Sequence, residues 1–145
     1  MIAVRTMRQQ DVEEVAALER EIFSQPWSAA GFLDALKLDN TVFLAAEEHG
    51  RIVGYVGMYL SMEEGEITNV AVAPHERRRG IGGMLLDEIK KEAGVHSVEK
   101  IVLEVRRSND SAIRLYERSG FTIRGIRKGF YEFPKEDAYI MIYGQ

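Results

Sequence analysis

Between Ile67 and Leu86 the chain reads ITNVAVAPHERRRGIGGMLL, and few folds can accommodate that stretch. Its first residues, with Glu66, read as a strand ending at Val72, and Pro74 interrupts the pattern. Beyond the proline, Ile81, Leu85 and Ile89 recur at spacing four with Asp87, Lys90 and Lys91 on the other side, which predicts an amphipathic helix. The turn joining strand to helix sets Arg77, Arg78 and Arg79 against Gly80, Gly82 and Gly83. A helix N-terminus offers unpaired N–H groups and a partial positive charge, and glycine lets a ligand approach them closely. The dipole contributes only ~0.3–1 kcal/mol, but several charge-assisted hydrogen bonds at ~1.5–3 kcal/mol each would hold a diphosphate firmly. Two readings stand for the turn: a phosphate cradle, or a solvated arginine turn whose glycines serve tight packing. It is not a P-loop, lacking a lysine followed by Ser or Thr, and GIGG is not the dinucleotide GxGxxG.

The remaining elements follow from periodicity and breakers. Ile2 to Arg5 is expected to be a short strand. A helix should start near Asp11, where Asp11 and Glu14 have capping-box spacing and Val12, Val15, Leu18 and Ile22 share a face. Ser28, after Pro26-Trp27, caps a second helix ending near Leu38. Thr41 to Glu48, Arg51 to Leu60 and Glu66 to Val72 form an antiparallel meander. The helix after the arginine turn should stop at Gly94. Lys100 to Val105 is a strand, Asp110 to Arg118 a helix stopped by Gly120, and Phe121 to Lys128 and Ala138 to Tyr143 are two last strands. The order is βααβββαβαββ, an α+β chain with a mixed sheet of about seven strands and about four helices, one domain over residues 1–145.

Composition removes several function classes. With 46% hydrophobic residues the 145-residue chain can bury a core. It has no cysteine, so disulfides and cysteine acyl-enzymes are excluded. His49, His75 and His96 lack metal-ligand spacing, and no metal is expected. A net charge of -4 argues against wholesale nucleic-acid binding. No signal peptide or membrane segment is legible, and a cytoplasmic protein is expected. A single anionic ligand and a basic partner fit this balance.

Arg77-Arg78-Arg79-Gly80-Ile81-Gly82 resembles the R/Q-x-x-G-x-G/A signature of the GNAT acetyltransferases, and LEVRRSNDSAIRLYERSGF resembles that family's downstream strand and helix. The element order agrees along essentially the whole chain. FSQPWS, LEVRRSN and EDAYIM resemble the RimI-type branch, whose members acetylate protein N-termini, with the N-terminal alanine of ribosomal protein S18 as type substrate. The resemblance implies acetyl-CoA as co-substrate, its pyrophosphate on Arg77, Arg78, Arg79, Gly80, Ile81, Gly82 and Gly83. It also implies main-chain bonds from Val70, Ala71 and Val72 beside a β-bulge, and a pantetheine contact from Asn109.

Acetyl transfer needs a neutral amine, a polarised thioester carbonyl and a proton for the departing thiolate. The resemblance makes Glu104 the general base and Tyr116 the general acid. Against these, Glu104 could simply pair with a basic neighbour, Tyr116 could be a core residue, and Asn109 a helix cap. On the acceptor side, Trp27, Glu66 and Tyr131 are candidates. Glu13, Glu14, Glu19 and Glu21 are either a solvated helix face or part of an acidic entrance for a basic peptide. The other classes open at this point are a GNAT acting on a small amine or a lysine, and a non-catalytic acetyl-CoA-binding partner in a complex.

Overall fold

A computed structural model describes residues 1–144. The strands are β1 (Ala3–Thr6), β2 (Thr41–Glu48), β3 (Arg51–Leu60), β4 (Glu64–Val72), β5 (Lys100–Arg106), β6 (Thr122–Glu132) and β7 (Lys135–Gly144). The helices are α1 (Val12–Ile22), α2 (Ala29–Leu36), α3 (Ile81–Val95) and α4 (Asp110–Arg118), with short 3-10 turns at Gln9–Asp11 and Pro74–Glu76. The expected order βααβββαβαββ and the mixed seven-stranded sheet are borne out.

The strands lie in the order β1-β2-β3-β4-β5-β7-β6. All neighbours are antiparallel except β4 and β5. Both sheet faces are covered. On one, Ile81, Leu85, Leu86 and Ile89 of α3 pack with Ile113 and Tyr116 of α4 over Leu44, Val56, Met58, Leu103 and Val105. On the other, Val12, Val15 and Ala16 of α1 and Phe32 of α2 cover Phe43, Ala45, Tyr55 and Ala71. Burial on both faces is why β2 and β3 read as near-continuous apolar runs rather than alternating ones.

The parallel junction decides where the site lies. β4 pairs with β5 only over Glu64–Glu66 against Lys100–Val102. Beyond those pairs the strands part, and the sheet splits along an edge that starts at Ile67 on one side and Leu103 on the other. On β4 the register against β3 slips between Gly57/Asn69 and Met58/Ile67, leaving Thr68 as an extra residue. Such a bulge bends the strand and re-aims its groups.

Three local expectations are corrected. The Asp11 carboxylate does not cap α1. It lies buried in a two-toothed ion pair with Arg5 (2.8 and 3.1 Å) and accepts from the Arg8 N–H at 2.7 Å, so it serves the preceding 3-10 turn. Glu14, its supposed partner, instead accepts the Ile52 N–H of β3 at 2.7 Å. Gly94 lies inside α3, which runs to Val95, and the left-handed residue beyond is Ser97 (φ 59°). Ser28 does cap α2, accepting from Gly31 N–H at 3.1 Å.

Candidate active site

Two stretches of backbone build the loop before α3. Arg78 and Gly80 both have positive φ, 69° and 79°. Two left-handed residues so close to a helix start turn the chain sharply, and turns of that kind beside a helix N-terminus are suited to anions. The three glycines have three different reasons. Gly80 supplies the left-handed turn. Gly82 is buried under α4, where a Cβ would come 2.8 Å from Leu115 Cδ2. Gly83 has neither constraint, with nothing within 4 Å of where a Cβ would sit. Its bare surface is the one that a ligand could use.

The arginines also divide. Arg79 spans from the loop to β2, with both Nη atoms 2.7 Å from the Glu48 carboxylate, and Nη1 reaches Glu76 at 2.6 Å. Those contacts hold Glu48 down to about 2. Arg77 places Nε 3.4 Å from the Val72 carbonyl, and Arg78 is exposed. Arg79 thus latches the loop to the sheet, while Arg77 and Arg78 lie toward solvent.

Where β4 and β5 part, a cleft of about 290 Å³ opens, lined by Trp27, Glu66, Ile67, Thr68, Asn69, Glu104, Phe130 and Tyr131. The structure brings together here Trp27, Glu66, Glu104 and Tyr131, four residues picked from separate parts of the sequence. Ile101, Leu103 and Val105 of β5 point into the core, so Val102, Glu104 and Arg106 take the other face. Partial burial, with the Glu104 and Glu64 carboxylates beside it, raises Glu66 above the usual carboxylate range, against an opposing effect of Arg127. Arg127 of β6 places Nη1 3.3 Å from Glu104 Oε2 and stacks over Phe130 at 4.7 Å. The expected alternative for Glu104, a basic neighbour, is therefore present, but at the rim: Arg127 is 53% exposed and Glu104 14%. Tyr131 is held by Arg106, whose guanidinium lies 4.2 Å from the ring centre, and by Phe130 edge-on at 5.0 Å. The EDA block explains that placement, since Glu136 binds Arg106 and Ser108 N–H while Asp137 accepts from Gly129 N–H at 2.8 Å.

Tyr116 does not line the cleft, and its ring sits 5.9 Å from Phe121 in the core. Burial, reinforced by Tyr131, raises its phenol well above the ordinary tyrosine value. Among the described residues its hydroxyl makes no side-chain hydrogen bond, and the residue is buried. Asn109 caps α4, its Oδ1 accepting from Ala112 N–H at 3.2 Å, which leaves its amide nitrogen free.

The acidic run on α1 is not one face. Glu13, Glu14 and Glu21 are exposed, but Glu19 is 2% exposed, correcting the expectation of a shared solvated or entrance surface. Its carboxylate accepts from the Tyr55 hydroxyl, from Asn69 Nδ2 at 3.1 and 3.3 Å, and from Trp27 N–H at 3.1 Å. An isolated buried carboxylate would cost far more than folding can spare, so these donors are what permit it. Burial raises Glu19 above the usual range and the bonds from Tyr55, Trp27 and Asn69 oppose that. The signal was legible: Glu19 follows Val15 by four and Ala16 by three, on the apolar stripe. Asn69, Thr68 and Arg127 carried no comparable sign.

Residues 12–121 match the profile of the Acetyltransferase (GNAT) family. The chain belongs to the GNAT acetyltransferase family. It is 36% identical, over 96% of its length and 93% of the relative's, to a Bacillus subtilis protein provisionally named ribosomal protein bS18-alanine N-acetyltransferase. It is 32% identical to the N-alpha-acetyltransferase RimI of Mycobacterium tuberculosis, with 97% and 90% covered. The crystal structure of the ribosomal-protein-S18-alanine N-acetyltransferase from Escherichia coli superposes with a TM-score of 0.90 at 28% identity, over 99% of this chain and 94% of that one. This GNAT enzyme is an acyltransferase of the RimI-like kind. Among its described residues no helix is long and apolar enough to cross a membrane.

Proposed function

We propose that this GNAT enzyme moves an acetyl group from acetyl-CoA directly to a protein N-terminal α-amine, that of an alanine on ribosomal protein bS18. The observation that carries the reading is the position of Glu104, a shielded carboxylate in a cleft walled by Trp27, Phe130 and Tyr131, at the point where β4 turns a free edge toward it. The names of the Bacillus and Escherichia relatives support the acceptor.

In this reading the curled loop of Arg77 to Gly83 takes the CoA pyrophosphate through backbone N–H groups at the start of α3, with Arg77 and Arg78 adding charge. The pantetheine arm runs along β4, where Val70, Ala71 and Val72 supply main-chain bonds, and toward Asn109. Past the Thr68 bulge, N–H groups without strand partners polarise the thioester carbonyl. Glu104 takes a proton from the ammonium, directly or through one water, and the neutral amine attacks. The new C–N bond forms, the C–S bond breaks, the Tyr116 phenol gives its proton to the thiolate, and the surplus proton on the new amide nitrogen passes through solvent to the phenolate, restoring it. Juxtaposition of amine and thioester is worth ~7–11 kcal/mol, more than either proton transfer, so the shape of the cleft matters most. Glu66 at the mouth attracts a positively charged N-terminus.

A peptide panel tests this: free Ala, Ser and Met N-termini, the bS18 N-terminal sequence, and a blocked peptide with an internal lysine, each with acetyl-CoA and read by mass. Acetylation of the free alanine α-amine with release of CoA is expected. Modification of the internal lysine alone overturns the reading.

A further inference from the structure

Glu19 has no part in the proton transfers above, yet it is the most enclosed carboxylate in the described chain. Its donors come from three separate segments. Tyr55 belongs to β3, Asn69 to β4, and Trp27 to the connection between α1 and α2. Two of those, Trp27 and Asn69, line the cleft; Glu19 itself does not. One oxygen, Oε2, takes both the Trp27 N–H and the Asn69 amide, each at 3.1 Å, so wall and floor meet on a single atom.

We propose that Glu19 is a positioning residue that sets the width of the acceptor cleft by holding the Trp27 segment and Asn69 on one carboxylate. The inference rests on reading this cleft as the acceptor site.

The chemistry of the donors favours a carboxylate. Trp27 N–H and Asn69 Nδ2 can only donate, Nδ2 reaches both carboxylate oxygens, and the Tyr55 hydroxyl donates as well, so an acceptor-only group answers all three. A glutamine would turn an NH2 toward an N–H donor, and an apolar side chain would fill the space while orphaning the Trp27 N–H. Either would be the cheaper choice for a position serving stability alone, since buried charge is weak evidence for stability. The surroundings explain what the bond adds. The Trp27 ring is seated against Phe32 (5.2 Å) and Phe43 (6.2 Å), and non-directional ring packing does not by itself fix the main chain. Glu19 removes that freedom at both of its ends, its main-chain oxygen taking the Phe23 N–H at 3.0 Å while its side chain takes Trp27. At the other wall, Asn69 directly follows the extra residue Thr68, and its amide also reaches the Tyr55 oxygen at 3.0 Å. The clamp therefore holds the bulge and the aromatic wall in one frame.

The only tryptophan in the chain is Trp27, so its fluorescence reads the clamp without any acceptor. In Glu19→Gln, red-shifted emission and easier acrylamide quenching are expected, with far-UV circular dichroism unchanged. The KM for an alanine-terminated peptide should rise about tenfold, the scale of a lost hydrogen bond to a charged group, while that for acetyl-CoA stays within about twofold. Glu19→Gln/Asn69→Asp restores a donor facing an acceptor on the Asn69 side alone and should recover part of the loss; Glu21→Gln, on the exposed side of α1, should change nothing. If Glu19→Gln fails to fold, Asn69→Ser carries the test and must raise peptide KM selectively. Unchanged quenching and peptide KM, a parallel rise in acetyl-CoA KM, or no rescue overturns the clamp. If wild-type protein acetylates no peptide N-terminus, the functional reading fails, and the Trp27 quenching still decides the role of Glu19.

Discussion

Arg127 Nη1 lies 3.3 Å from Glu104 Oε2, so the carboxylate read as the base already holds a cation at the cleft rim. An incoming ammonium must share or replace that partner. Since the arginine is half exposed, the pair is worth at most ~0.2–1 kcal/mol, and Arg127→Ala is expected to change peptide KM by no more than about fivefold, with the difference vanishing at high salt. A titration of initial rates against peptide at two ionic strengths checks it.

Removing the proposed base should behave differently. Glu104→Gln is expected to lower kcat by roughly 10²–10⁴-fold and leave acetyl-CoA affinity nearly intact. Calorimetric binding of acetyl-CoA beside steady-state rates separates the two effects. Full activity of the variant from about pH 6 to about pH 9 would show that another group takes the proton.

The buried phenols give a pH signature. Burial raises both Tyr55 and Tyr116 above the ordinary 10.0, so in the unfolded chain they ionise first. Their contribution to stability is complete below that value and is lost as pH rises beyond it. Denaturant midpoints should therefore hold up to about pH 10 and fall as pH rises beyond it, and Tyr55→Phe should flatten the fall. Tyr116, raised in this way, keeps the proton that its proposed role as general acid needs, and Tyr116→Phe should cost roughly 10²-fold or more in kcat.

In the loop before α3, stability and binding should come apart. Gly83→Ala is expected to stabilise the helix by roughly 0.5–1 kcal/mol, because its Cβ meets nothing. The same methyl would stand on the surface proposed for the pyrophosphate, so acetyl-CoA KM should rise. In Gly82→Ala the methyl would press on the Cδ2 end of the half-buried Leu115, which must turn aside, so the helix gain should be offset and the net change should lie within about 1 kcal/mol of zero. Thermal melts with and without CoA read both.

The latch from Arg79 to Glu48 should loosen in acid. Glu48 is depressed from 4.5 to about 2, so what the pair contributes is present above 4.5 and is lost as pH falls toward 2. Glu48→Gln reproduces that loss at neutral pH, and the expected effect is a rise in acetyl-CoA KM of about two- to fivefold, the scale of a surface pair. Unchanged KM would mean that the loop holds its shape through Arg78 and Gly80 alone.

Elements with a local cause were legible in the sequence. β2, β3 and α4 have their expected limits because apolar runs, a turn at His49-Gly50 and the stop at Gly120 act within a few residues. The loop before α3 was legible for the same reason, as strand, proline and glycines are neighbours in the chain. The strand pairing was not. That β4 and β5 part after three pairs, that Thr68 is extra, and that Trp27, Glu66, Glu104 and Tyr131 meet in the gap all depend on how distant strands register. Charge was the least legible property. Asp11, Glu19 and Arg79 look alike in composition with their exposed neighbours, but each is held by partners brought in by the sheet, Arg5, Tyr55 with Asn69, and Glu48. A carboxylate or guanidinium takes its role from whichever partner the fold brings within about 3 Å, and a linear sequence does not contain that distance.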